Sequence, residues 1–446
     1  MAGSWRPAYQ WPAVVSTLPY IEACMIQLTR QQLAFIAIVL LTYAAVWVDT
    51  LFGIFSFLGL GALKVSLLYR LTITVIILVM MFVYQNILSW YMKFMLLGWA
   101  FLLWVLTWPA GDLELVTQVN HILRLLYPFG LGLLTYKLLS TFPQFSQRTL
   151  AGIGHYGWVV GVFVVFSAFT GLGLESYGEH AFGIKSFYFA GNDTGLAALL
   201  ALCCLFCVLY YQPSPLRFGA ILFCLSGLIL MGTKAGWAGA LLVSFSYLIV
   251  FLFFKKTQGS VGVMLKGATV IGMVAVVAFA ASIIVPNYDR ISYQIEQFQA
   301  LAAGQNPRAE LIQAADRHFT DYPDQLALIG NGDRFDAGVG ERYFVTFNNT
   351  LGTTTNKLVE QDWYDLRGHY GMPFALFVTL GHVAFLLLAG WQWITRPRVI
   401  SFTLLLALSL FMGHAMLAGH AFLSGQSGGL AGVLYGLLLA RTRRSG

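Results

Sequence analysis

Two sets of side chains have the types and spacing to do chemistry. The first is cationic. Lys64, Arg70, Lys185 and Lys234 stand at the ends of apolar runs, and Arg124 stands inside one. An ionisable group at membrane depth is costly and usually faces a bundle interior or a polar cavity. Any one of these residues alone is best read as snorkelling to a headgroup or pairing with a local acid. Several cations at one membrane face suit an anion instead, and Arg can hold a phosphate bidentately. A lipid-linked pyrophosphate is one such anion. The second set is the run Glu360-Gln361-Asp362-Trp363-Tyr364-Asp365-Leu366-Arg367-Gly368-His369-Tyr370-Gly371. On a helix, Glu360 and Asp362 diverge, while Asp362, Asp365 and His369 fall close to one face. Carboxylates and an imidazole there can serve as a general base. An acid-rich helix start favoured by the helix dipole is an equal reading.

Smaller patterns accompany these. In Phe187-Tyr188-Phe189-Ala190-Gly191-Asn192-Asp193-Thr194-Gly195, polar residues open an apolar run and can cap a helix whose N-terminus attracts anions. Met231-Gly232-Thr233-Lys234-Ala235-Gly236 reads as a tight turn with Lys234 at its apex, and its spacing is not that of a P-loop. Tyr343, Phe344, Phe347 and Trp363 can stack on sugar rings or pack in a small core of their own. His414 and His420 lie near the end of an apolar run and read as packing residues. No cluster has metal-ligand spacing, so no metal and no cofactor is expected. Cys204 and Cys207 lie within an apolar run with no His nearby, and the five cysteines read as small apolar filler with no disulfide.

The elements that must position these residues are membrane spans. Of 446 residues, 58% are hydrophobic and 10% charged, against about 25% charged in soluble domains. The net charge of +7 comes from scattered bases. Without a basic stripe interleaved with aromatics, nucleic-acid binding is excluded. No cleavable signal peptide is read at the N-terminus. The apolar runs predict an all-α polytopic membrane protein with about twelve spans. They lie near 33–53, 67–87, 89–108, 116–140, 153–171, 193–212, 216–232, 235–254, 265–285, 366–391, 399–418 and 423–441. Three regions result: helices over 1–285, a large and partly helical extracytoplasmic loop over 286–365, and helices over 366–446. Lys255, Lys256, Lys266, Arg396, Arg398, Arg441, Arg443 and Arg444 flank short loops or end the chain. The positive-inside rule therefore places both termini in the cytoplasm and the large loop outside. Twelve of the nineteen acids fall in 286–365, in keeping with that orientation.

This layout resembles the O-antigen ligase and Wzy-type polysaccharide polymerase superfamily. The resemblance spans the whole chain, through many spans and one large late loop. Locally it rests on the 187–195 segment, the Gly232-Thr233-Lys234 turn, Arg308, the 360–371 run and the 419–425 stretch Gly-His-Ala-Phe-Leu-Ser-Gly. It implies a metal-independent, inverting glycosyltransferase of the bacterial inner membrane. The donor would be a glycan on undecaprenyl pyrophosphate. Lys234 and Arg308 match the family's cationic positions, and Arg70, Arg124 and Lys185 join them from the topology. The base is then one of His318, Glu360, Asp362 or His369, and Asn192, Trp363 and Tyr343 are the candidate glycan contacts. Ligases commonly carry a His-Asn pair where the loop re-enters the membrane. Here Thr355-Asn356-Lys357 has no such His, which favours a polymerase joining two lipid-linked units over a ligase acting on lipid A core. Membrane lipids and a chain-length regulator protein are the expected partners. A lipid-linked glycan flippase is the rival from another class, but transporters often show repeated halves, and no internal repeat is read.

Overall fold

The computed structural model describes residues 30–83, 115–175, 182–188, 190–253, 307–321, 328–332, 334–348 and 356–443, with isolated positions between 267 and 299. The expected span at 89–108 lies outside the described residues, as does most of that at 265–285.

The chain is a helical, multi-pass membrane protein. Among the described residues, six helices are long and apolar enough to cross a membrane. In chain order the elements are α1 (Arg30–Phe57), α2 (Val65–Val83), α3 (Leu115–Thr141), α4 (Ser146–Thr170), the strands β1 (Leu174–Glu175) and β2 (Ile184–Ser186), α5 (Gly191–Tyr211), α6 (Pro215–Leu230) and α7 (Lys234–Phe253). After these come α8 (Pro307–Asp321), α9 (Arg334–Tyr343), α10 (Asp362–Tyr370), α11 (Met372–Thr395), α12 (Val399–Leu417) and α13 (Ser427–Arg443). The six are α1, α5, α7, α11 and α12, together with α4 and the short turn before it.

Most of α5 is buried, including Cys203, Cys204 and Cys207. It forms the centre, with α4, α6, α7 and α12 packed around it. Lipid gives helices no hydrophobic drive to associate, so close packing of small residues matters. The α3–α13 pair shows this. A Cβ on Gly432 would fall 2.4 Å from the Pro128 carbonyl oxygen, so only glycine lets the two backbones meet there.

The helices alternate in direction, so α2, α5, α7, α11 and α13 begin, and α1, α4, α6 and α12 finish, at one end of the bundle, here termed the loop end. Helices α8, α9 and α10 form a cap there with a core of its own, built on Leu311, Ala314, Ala315, Phe319, Phe335, Val339 and Val359. The antiparallel β1–β2 pair was not expected from the sequence.

One boundary also differs from expectation. The run read as a single span from 366 divides into α10 and α11 at Gly371, whose φ is +82° and ψ 165°. That region is essentially glycine-only and costs other residues about 1–3 kcal/mol. A Cβ there would also fall 2.4 Å from the Leu328 carbonyl oxygen. Gly371→Ala is therefore expected to lower thermal stability in detergent by at least that amount. An unchanged melting temperature would show that the break does not need glycine.

Candidate functional site

At the loop end the cations meet in two neighbouring groups. Arg70, one turn into α2, donates from its Nη2 to Asp49 Oδ1 at 2.9 Å and from its Nε to the Gly425 carbonyl at 3.2 Å. It also bonds Ser66. Asp49 is buried and takes two further donors, Ser66 Oγ at 2.7 Å and the Tyr156 hydroxyl at 3.2 Å. Three donors thus fix one carboxylate, and that carboxylate fixes the guanidinium. Arg124 lies within electrostatic reach of Arg70 and Asp193. Asp193, in the first turn of α5, lies within electrostatic reach of His420, Arg124 and Arg70 and close to Ser424. The Lys185 chain crosses the same helix start, where a Cβ on Gly191 would fall 3.4 Å from its Cγ and Cε. Asn192 sits half-buried beside it.

The second group lies on α7 and the cap. Thr233 caps α7, its Oγ1 accepting from Gly236 N at 3.1 Å, and Lys234 follows in the first turn. The turn before it is tight: Gly232 has φ +68° and lies against the backbone of Phe182 and Gly183. Lys234 is within electrostatic reach of Arg308. Arg308 pairs with Glu360 at 3.2 Å and donates from Nη1 to the Leu417 carbonyl at 3.1 Å. His414 lies within electrostatic reach of both Arg308 and His420.

The expected α10 face forms, with Asp362, Asp365 and His369 all buried. Their tasks differ from one another. Asp362 Oδ2 accepts from Phe422 N at 2.8 Å. Asp365 Oδ1 accepts from Val359 N at 3.0 Å. His369 Nε2 lies 3.0 Å from Asp336 Oδ1 on α9. Of the four candidate bases, Glu360 is the one with an open side chain, 45% exposed. It also holds a left-handed φ of +58°. Such strain in a residue that is not glycine clusters at functional sites.

His318 stands apart from the cations. It is buried in the cap core, its ring 5.6 Å from that of Phe335, and a Cβ on Gly338 would strike it. Its charged neighbours are Arg342 and Asp321. Tyr343 also packs on the cap core. Trp363 packs against the bundle core. Phe347 lies outside the described side chains. Asp49, Asp193 and the 418–426 turn were not among the expected site residues. The sequence offered one signal for the turn, the 419–425 stretch.

Burial sets the titration of the cap. It pushes the Asp362 carboxyl up to about 8, against the donors at the 420–422 turn, and Asp365 up to about 6. It drives His318 down to about 4, with Arg342 adding to the effect. Carboxyls of an unfolded chain titrate near about 3.9 and imidazoles near about 6.5. Folded Asp362 therefore holds its proton while the unfolded chain has lost it, so rising pH destabilises the fold until about 8. Asp365 acts likewise up to about 6. His318 has the opposite sign between about 4 and its unfolded value. Above about pH 6.5 the Asp362 slope remains. The melting temperature of the detergent-solubilised protein is expected to fall from there to about pH 8 and to level off beyond. Asp362→Asn should flatten that interval, and an equal slope in the variant would assign it elsewhere.

The loop end of this multi-pass helical bundle thus gathers Arg70, Arg124, Lys234 and Arg308 beside few acids. The family model for O-antigen ligase like membrane proteins matches residues 62–311, more than half of the 446-residue chain. The chain belongs to that family, which gives it a role in membrane glycan processing. No curated protein and no solved structure matches it.

Proposed function

We propose that the protein is a polysaccharide polymerase of the bacterial inner membrane. It would transfer a growing glycan from undecaprenyl pyrophosphate to a sugar hydroxyl of another lipid-linked repeat unit. The observation that carries this reading is the meeting of Arg70, Arg124, Lys234 and Arg308 at one end of the bundle. Among the described residues near them, Asp49 and Glu360 each pair one arginine, and Asp193 adds a third acid. The positive-inside rule supports an outward loop end, because Arg396, Arg398 and Arg441 stand at the opposite ends of α11, α12 and α13.

In the proposed step the acceptor oxygen attacks the anomeric carbon from the side opposite the pyrophosphate. The bond from that carbon to the pyrophosphate oxygen breaks, and its electron pair leaves with the pyrophosphate. The four cations and the α5 and α7 N-termini stabilise the charge that develops there. Glu360 is the candidate base for the acceptor's proton, since it alone of the four candidates has an open side chain and faces Arg308. The anomeric centre inverts. Asn192 and Trp363 are the proposed sugar contacts. Membrane lipids and a chain-length regulator protein remain the proposed partners.

The test is transfer by purified protein in nanodiscs, given an undecaprenyl-pyrophosphate-linked repeat unit from the native host and no added metal. A product ladder spaced by the repeat unit is expected. A single shift only on adding lipid A core would make the protein a ligase. No product with either acceptor would favour a transporter.

A further inference from the structure

The 418–426 turn between α12 and α13 is where the bundle and the cap are joined. From the bundle, Arg70 Nε donates to the Gly425 carbonyl at 3.2 Å. Thr194 Oγ1, at the start of α5, donates to Gln426 Oε1 at 2.9 Å. From the cap, a Cβ on Gly419 would fall 2.3 Å from the Glu360 carbonyl carbon, so the two backbones touch. The same cap segment reaches back to the end of α12, with Gln361 Nε2 donating to the Met416 carbonyl at 2.7 Å.

The turn's shape is unusual. Gly419 and His420 both have left-handed φ, +68° and +65°. Successive N–H groups in such a turn converge into an anion-binding concavity. Here the occupant is the protein's own Asp362, which takes the Phe422 N–H at 2.8 Å and faces those of His420 and Ala421. The carboxyl is fully buried, and its Oδ1 meets no donor among the described residues. A group so enclosed and so occupied has no path to an acceptor hydroxyl.

Resting on the function proposed above, we infer that Asp362 is a positioning residue. It fills the concavity of the 420–422 backbone and so fixes the turn that sets Arg70, through Gly425, and Glu360, through Gly419. What the turn requires is an acceptor oxygen of the right reach rather than a negative charge. Burial agrees, since it holds the carboxyl protonated at neutral pH, and the remaining carbonyl oxygen still accepts.

The experiment compares Asp362→Asn, Asp362→Glu and Asp362→Ala in the full chain by two readouts. Hydrogen exchange over 414–426 reports the turn. The nanodisc transfer assay with the native undecaprenyl-pyrophosphate donor reports activity. Asp362→Ala is expected to speed exchange of the turn and cut transfer about a hundredfold, the scale of a small misplacement of reacting groups. Asp362→Asn keeps an acceptor at the same reach and should restore most of both. Asp362→Glu keeps the acid but overshoots the turn and should do worse than Asn. The reverse order, with Glu active and Asn as poor as Ala, would make Asp362 a catalytic acid or base and overturn the inference. An unaltered exchange pattern in a folded Ala variant would overturn it too. If Ala does not fold, the Asn–Glu order still decides. If the wild type transfers nothing, the proposed function fails, while the exchange readout continues to judge whether Asp362 holds the turn.

Discussion

Alanine at Arg308 or at Lys234 is expected to lower glycan transfer by about 10²–10³-fold, corresponding to about 2.7–4 kcal/mol of lost charge stabilisation in the transition state. The fold should survive. The Arg308 side chain is 29% exposed and its partner Glu360 45% exposed, so truncation strands no buried charge. Lys234 follows a helix start that Thr233 caps through its own hydroxyl, and that cap does not need the lysine. Activity should therefore fall while the melting temperature holds. Arg308→Lys keeps the charge but loses the planar fork that binds phosphate bidentately, so it should recover only part of the rate. Wild-type polymer length in both alanine variants would remove these residues from the pyrophosphate site.

The second large effect concerns Asp49. Removing one partner of a buried ion pair costs about 3–5 kcal/mol, because the other charge is left uncompensated. Asp49→Ala would strand Arg70, whose side chain is only 19% exposed, and would leave Ser66 and Tyr156 without their shared acceptor. The expected result is a marked loss of thermal stability together with loss of transfer. Replacing the pair with apolar residues separates the two effects, since such swaps are often neutral or stabilising. The double variant Asp49→Leu, Arg70→Met should regain stability and stay inactive. Regained transfer in that double variant would reduce Arg70 to a structural role.

Much of the fold was legible in the sequence because lipid imposes a simple rule: apolar runs of span length become helices. The runs near 193–212, 235–254 and 399–418 correspond closely to α5, α7 and α12. The three-and-four spacing of Asp362, Asp365 and His369 likewise became one buried face of α10. What stayed hidden depends on distant partners. Nothing local in the sequence ties Asp49 to Arg70, 21 positions away. His318 read as a possible base because a sequence does not reveal that three short helices enclose their own core. The α10–α11 break rests on a backbone angle at Gly371, which the apolar run conceals.

The bond between Arg70 and Gly425 joins residues separated by 355 positions, and this bears on how the chain is made. A nascent membrane protein emerges from its N-terminus, and domains generally form in that order. Arg70, Arg124, Asp193, Lys234 and Arg308 all leave the ribosome before the segment that draws them together. Until α12 and α13 are inserted, the Arg70–Asp49 pair can form but has no turn to hold, and Asp362 has no backbone to fill. The 418–426 turn and α13 act as a latch, so the earlier helices can be in place well before the molecule acquires its binding end. Ribosome stalling or truncation before residue 418 would accordingly yield an inserted bundle with its charges separate.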